Sequence, residues 1–138
     1  MKKNGCLGQC PVYDLRFYAD GTIEFDGKYN VVAKGRRWVR SDPELLKAAL
    51  AFDFGVARWR ELPEHGTVEC TDQPSVTFEY DARRVEHDYG DSHAPGELTQ
   101  LEYDLDRLGN VKDLVGDYAL ALPEGSYCYD TKTIYLAP

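Results

Sequence analysis

Positive charge is scarce in this chain: 16 Lys plus Arg stand against 24 Asp plus Glu, a formal net charge of -8 at pH 7 with histidine neutral. A field of that sign repels phosphate backbones unless the cations cluster strongly, which excludes nucleic acid as the expected partner. Long apolar runs are missing as well. The longest, Ala48 to Phe52 and Ala119 to Leu122, fall far short of the ~20 residues that span a bilayer, so no transmembrane helix is expected. Met1-Lys2-Lys3 has the charge of a signal-peptide start, but Asn4, Gly5, Cys6, Gly8 and Gln9 follow where an apolar run is required. No signal peptide is read here, and a mature or truncated form would look the same.

The fingerprints of common chemistries are also lacking. There is no G-x-S-x-G elbow, and Ser41, one of the serines with Ser75, Ser92 and Ser126, is explained as a helix cap. Neither a G-x-G-x-x-G turn nor a G-x-x-x-x-G-K-S/T loop is present, so nucleotide binding by those routes is unsupported. No cofactor and no catalytic residue is assigned, and a non-enzyme is the favoured class. The cysteines, Cys6, Cys10, Cys70 and Cys128, contain no C-x-x-C spacing. Their even count allows two disulfides in three pairings, with buried free thiols of a cytoplasmic protein as the plainer alternative.

What is present is an ordinary globular composition, 43% hydrophobic and 29% charged over 138 residues, which fits one domain spanning 1–138. Tyr13, Leu15 and Phe17 alternate with Asp14 and Arg16, and Asp20-Gly21 marks a tight turn. Ile23 and Phe25 continue the period of two. Asp26-Gly27 offers a second turn before a third strand at Tyr29, Val31 and Ala33, which Gly35 to Arg40 either extend or leave. Ser41-Asp42-Pro43-Glu44 reads as a capping box opening a helix with Leu45, Leu46, Ala49, Leu50 and Phe52 on its apolar face. Residues 58–73 have little periodicity and read as a functional loop. A second hairpin turns at Asp81-Ala82 between Val76, Phe78, Tyr80 and Val85, His87, Tyr89; Pro95-Gly96-Glu97 then opens a helix with Leu98, Leu101, Leu105 and Leu108, closed by Gly109. The order β-β-β-α-β-β-α predicts an α+β fold, an antiparallel sheet of a three-stranded meander plus a hairpin, with two main helices on one face and a C-terminal tail.

Cys6-Leu7-Gly8-Gln9-Cys10-Pro11-Val12-Tyr13 forms a C-x-G-x-C-P-x-Y box. It resembles the opening of a bacterial domain family of unknown function. The likeness continues through Asp26-Gly27, the Val31 to Gly35 segment, Thr71-Asp72-Gln73-Pro74, His87-Asp88-Tyr89-Gly90-Asp91 and Ala94-Pro95. It covers about residues 5–116, leaving 117–138 as a C-terminal extension. The resemblance implies no activity, and because such domains often follow export signals it implies a periplasmic or secreted setting. It also implies pairing of Cys6 with Cys10, which would leave Cys70 for Cys128.

Two constellations carry candidate chemistry. His87, Asp88, Asp91 and His93 hold imidazole and carboxylate groups at a strand end, so His87, Asp91 and His93 are the candidate metal ligands; half-burial of His87 in the sheet is the plainer explanation. Cys6 and Cys10 with His87 and His93 make the thiol- or metal-dependent alternative. Glu102, Asp104 and Asp106 read as a solvated face of the last long helix. The aromatic content, 10 Tyr, 5 Phe and 2 Trp, is more informative, because Tyr18, Trp38 and Trp59 lie near Arg36, Arg37 and Arg58 in sequence. Together they form a candidate recognition patch for a protein, peptide or envelope component. The leading expectation is a non-catalytic binding module of the cell envelope. A third reading, an acidic cytoplasmic protein neutralising a basic partner, rests on the charge of -8.

Overall fold

The structure, a computed structural model, describes residues 1–6, 8–53, 56–65, 73–89, 91 and 94–116, without the side chains of 52–58. Among these residues six strands, β1 (Lys2–Lys3), β2 (Val12–Phe17), β3 (Thr22–Tyr29), β4 (Gly35–Arg40), β5 (Ser75–Tyr80) and β6 (Arg83–Asp88), form one antiparallel sheet in the order β4-β3-β2-β1-β5-β6. Among the described residues four helices, α1 (Pro43–Asp53), α2 (Val56–Glu61), α3 (Gly96–Leu108) and α4 (Val111–Val115), accompany the sheet in an α+β fold. None of the described helices is long and apolar enough to cross a membrane.

Alternation in β2 sends Tyr13 and Leu15 into the core with Ile23 and Phe25 of β3, where Val111 and Val115 of α4 cover them. In the second hairpin Val76, Phe78 and Val85 face Leu98, Leu101 and Leu105 of α3, with Trp59 and Leu62 sealing the same cluster. Each such side chain contributes about 1.5–3 kcal/mol by leaving water. Asp20-Gly21 turns as read: Gly21 adopts φ +87°, its amide donates to the Tyr18 carbonyl, and Tyr18 in turn donates to Thr22. The Asp81-Ala82 turn has both residues left-handed, at φ 50° and 56°, which is the two-residue geometry that matches strand twist.

Four local expectations change. Asp26-Gly27 is no turn, because β3 runs through it and the chain reverses after Asn30. Gly27 answers a close approach instead, since a Cβ there would lie 2.1 Å from the Ala33 carbonyl oxygen. The third strand is accordingly Gly35–Arg40, not residues 29–33. At α1 the cap is Asp42, whose Oδ1 accepts the Glu44 amide at 2.9 Å, while Ser41 donates its amide to Gly21; Leu45 stays exposed and Leu46 and Leu50 turn inward. Part of the 58–73 loop is helical, and it carries Trp59 and Leu62 into the core.

The sheet also has a member that periodicity could not show. Lys2 pairs with Asp14 and Thr77, and Lys3 with Tyr13 and Val76, so two residues join the meander to the second hairpin.

Candidate functional site

The outer face of the meander gathers part of the expected patch. Trp38 on edge strand β4 pairs with Glu24 on β3 and leaves 62% of its surface exposed; Tyr18, at the end of β2, is 43% exposed with its ring centroid 6.4 Å from that of Trp38. Beneath them Glu24 is only 5% exposed. Its carboxylate receives Arg36 Nε at 3.4 Å, Arg16 Nη1 at 3.8 Å and the Tyr18 hydroxyl at 3.3 Å. A lone carboxylate would not persist there, so the two guanidiniums and the phenol supply what water would. The result is an aromatic pair flanked by two arginines whose positions are set from below.

Other members of the expected patch lie elsewhere. Arg37 pairs with Phe25 and so alternates away from Trp38, donating Nη1 to its neighbour's carbonyl, that of Arg36. Trp59 is 1% exposed and its indole N–H donates to the Tyr80 carbonyl at 2.9 Å, so it is a core residue and no part of an exposed surface. Aromatic-arginine proximity in sequence cannot tell an outward strand position from an inward helix position. The Arg58 side chain lies outside the described residues.

A second polar assembly sits on the inner face, and the sequence reading missed it. Glu102 and Asp106 are not a solvated face. Glu102 lies on the buried stripe with Leu98, Leu101 and Leu105, four residues after Leu98 and therefore beneath the same sheet. Its carboxylate pairs with Lys3 Nζ and also accepts the Tyr89 hydroxyl, while Lys3 reaches the Tyr89 hydroxyl at 2.6 Å. One turn on, Asp106 Oδ1 accepts the Tyr13 hydroxyl at 2.8 Å. Burial lifts the Asp106 carboxyl to about 7; Lys3 and the Tyr13 hydrogen bond oppose that rise and Glu102 adds to it. Burial and the neighbouring carboxylates push the phenols of Tyr13 and Tyr89 well up, so both stay protonated donors. The helical spacing of Glu102 from Leu98 was the available signal.

His87 is buried in the sheet beside Tyr89, ring centroids 5.8 Å apart, and burial lowers its pKa against the pull of Glu102, Asp91 and Asp88. Asp91 is buried nearby in chain order, and His93 lies outside the described residues. Among the described residues no group of three His, Cys, Asp or Glu side chains converges as a metal site. Cys6 and Cys10 are joined by a disulfide with Cα atoms 5.6 Å apart. Cys10 is buried, its carbonyl accepting Asn30 Nδ2 at 3.1 Å. Cys70 and Cys128 lie outside the described residues, as does the extension 117–138.

No curated protein and no solved structure matches the chain. Residues 1–109 match the family described as Domain of unknown function (DUF6438), and the chain belongs to that family.

Proposed function

We propose that this domain is a non-catalytic binding module of the cell envelope, engaging a protein or peptide through Tyr18, Arg36 and Trp38 on the outer face of the meander. The observation that carries this reading is the exposure of Trp38 beside Tyr18 on an edge strand, over a carboxylate that orients Arg16 and Arg36. Trp, Tyr and Arg dominate binding energy where they are held in place, because large rigid surfaces and forked donors lose little entropy on docking. The Cys6–Cys10 disulfide supports an oxidising, extracytoplasmic setting. The reading keeps one domain over 1–138, with 5–116 as its core and 117–138 as an extension.

The test is capture from envelope extracts of the source cell with the wild-type domain and with Trp38→Ala and Arg36→Ala, each first shown to unfold like wild type. A partner held by wild type and lost from both variants supports the reading. Capture that neither substitution changes, or a turnover activity that His87→Ala abolishes, refutes it.

A further inference from the structure

The two borders of the sheet are finished differently. Along β6 the chain covers its own edge: the Glu86 amide donates to the Glu64 carbonyl at 2.9 Å, His65 bridges to Glu86, and Arg83 donates to the carbonyls of Arg60 and Leu62. Along β4 no described segment does the same, and every residue of that strand except Val39 is exposed. A bare edge is a template for another strand unless something blunts it.

The phase of the ladder sets which groups point out. The Ser41 amide donates to the Gly21 carbonyl at 2.9 Å, and bonded residues alternate along an antiparallel pair. Val39 with Ile23, Arg37 with Phe25 and Gly35 with Gly27 therefore bond to β3. Arg36, Trp38 and Arg40 turn their N–H and C=O groups away from the sheet, and their side chains share the outer face. Arg37 Nη1 meets the Arg36 carbonyl at 2.8 Å, an exposed contact within the strand that an incoming amide can replace.

Charge decides which strand fits. Lys34, Arg36, Arg37 and Arg40 all fall between Asp26 and Asp42, where there is no Asp or Glu, in a chain of net charge -8. The neighbouring carboxylates on β3, Glu24 and Asp26, are already matched by Arg16 and Lys28. Arg36 reaches Glu24 through Nε, leaving its Nη donors for another carboxylate. Such an edge deters strands of its own sign and selects the opposite one. A second copy of β4, centred on Trp38, would set Arg36 against Arg40, and like charges directly opposite are destabilising. A nucleic acid would meet the arginines but has no amides and carbonyls to continue the ladder.

We propose that β4 takes up an extended acidic segment of a partner polypeptide as one more antiparallel strand, its backbone bonded to Arg36, Trp38 and Arg40 and its carboxylates beside Arg36 and Arg40. Main-chain bonds supply affinity in this mode, and the alternate side chains supply specificity. This rests on the reading of Trp38 and Arg36 as a binding surface and adds the conformation and charge of what binds there.

The probe is acetyl-Thr-Glu-Val-Thr-Val-Glu-Thr-amide, which sets its central Thr opposite Trp38 and its two Glu opposite Arg36 and Arg40. It is added at about 1 mM to the 15N-labelled domain at low salt. The expected result is hydrogen exchange at the Trp38 and Arg40 amides slowed at least about threefold. A peptide with Lys in place of both Glu should have no effect, nor should the acidic peptide N-methylated at its central Thr and both Glu, which keeps the charge but loses the donors that face β4. No slowing by the acidic peptide, or equal slowing by either control, overturns the proposal. Protection already present without peptide, or growing as the domain is concentrated, also overturns it, because the edge is then filled by its own chain or by a second copy. Capture from envelope extracts separates the two readings. A partner lost on Trp38→Ala, with no protection by the acidic peptide, refutes strand addition and leaves the binding module standing. Protection by the peptide, with capture unchanged by Trp38→Ala and Arg36→Ala, supports strand addition and refutes those side chains as the anchors.

Discussion

Lys3 and Glu102 form an ion pair inside the domain, linking a two-residue strand at the centre of the sheet to the helix that covers it. Both ends are largely shielded from water, so each charge depends on the other. Removing one partner from such a pair costs about 3–5 kcal/mol, mostly from the charge left behind. Lys3→Met should therefore destabilise the domain strongly in urea titrations, while Lys3→Met combined with Glu102→Leu should recover much of the loss. A double variant as unstable as the single one would show that Lys3 acts through packing.

Asp106 supplies a pH dependence of definite sign. Its carboxyl is raised from 3.8 to about 7 on folding, chiefly by burial, so the folded state holds a proton that the unfolded state releases. Stability from this group is present below about pH 4 and is lost as pH rises towards 7, by at most about 4 kcal/mol. His87 works in the opposite direction: burial depresses its pKa below 6.5, so its contribution is present above the unfolded value and fades as pH falls below it. Asp106→Asn should flatten the decline between pH 5 and 8 and make the domain more stable than wild type at pH 8. Unfolding free energies measured across that range check this, and an unchanged slope would refute it.

The two tryptophans should behave oppositely. Trp59→Ala empties a fully buried site and removes an indole donor to the Tyr80 carbonyl, for a loss of about 3–5 kcal/mol. Trp38→Ala removes an exposed ring and should alter stability by less than about 0.5 kcal/mol. Chemical denaturation of both variants makes the comparison.

Ala82 occupies a left-handed position at φ 56° in the β5–β6 turn, where a Cβ meets the following carbonyl. Ala82→Gly should raise stability by about 0.5–1 kcal/mol, visible as an increase in Tm. A lower Tm would mean that the entropy added to the unfolded chain outweighs the relief.

The Cys6–Cys10 bridge closes a loop of five residues, for which chain entropy predicts about 2 kcal/mol. The Cys6→Ser/Cys10→Ser variant should lose about that much, and intact mass after denaturing alkylation should show Cys6 and Cys10 unlabelled until reduction. Labelling of both without reductant would contradict the bridge.

The hairpins were legible because each half-buried strand writes its alternation over five or six residues and ends in Asp20-Gly21 or Asp81-Ala82. α3 was legible from four leucines, and the Tyr18–Trp38–Arg36 grouping in part from aromatics beside basic residues. Lys2 and Lys3 show no alternation, since two residues carry no period, and two adjacent lysines read as solvent-facing. Only opposite strand faces, with Glu102 within reach of one of them, give Lys3 a place inside. Glu102 and Asp106 carry the charge of a solvated face, and only the four-residue spacing of Glu102 from Leu98 points inward. Trp59 and Trp38 have similar arginine-rich neighbourhoods in sequence, yet one closes the core and the other stands on an edge. The sequence by itself determined the α+β class, the two hairpins, both main helices and the absence of the common catalytic fingerprints, because these are local and periodic. Strand order, the buried ion pair and the face on which each aromatic lies were decided only by the tertiary structure, because each depends on segments far apart in the chain meeting in one register.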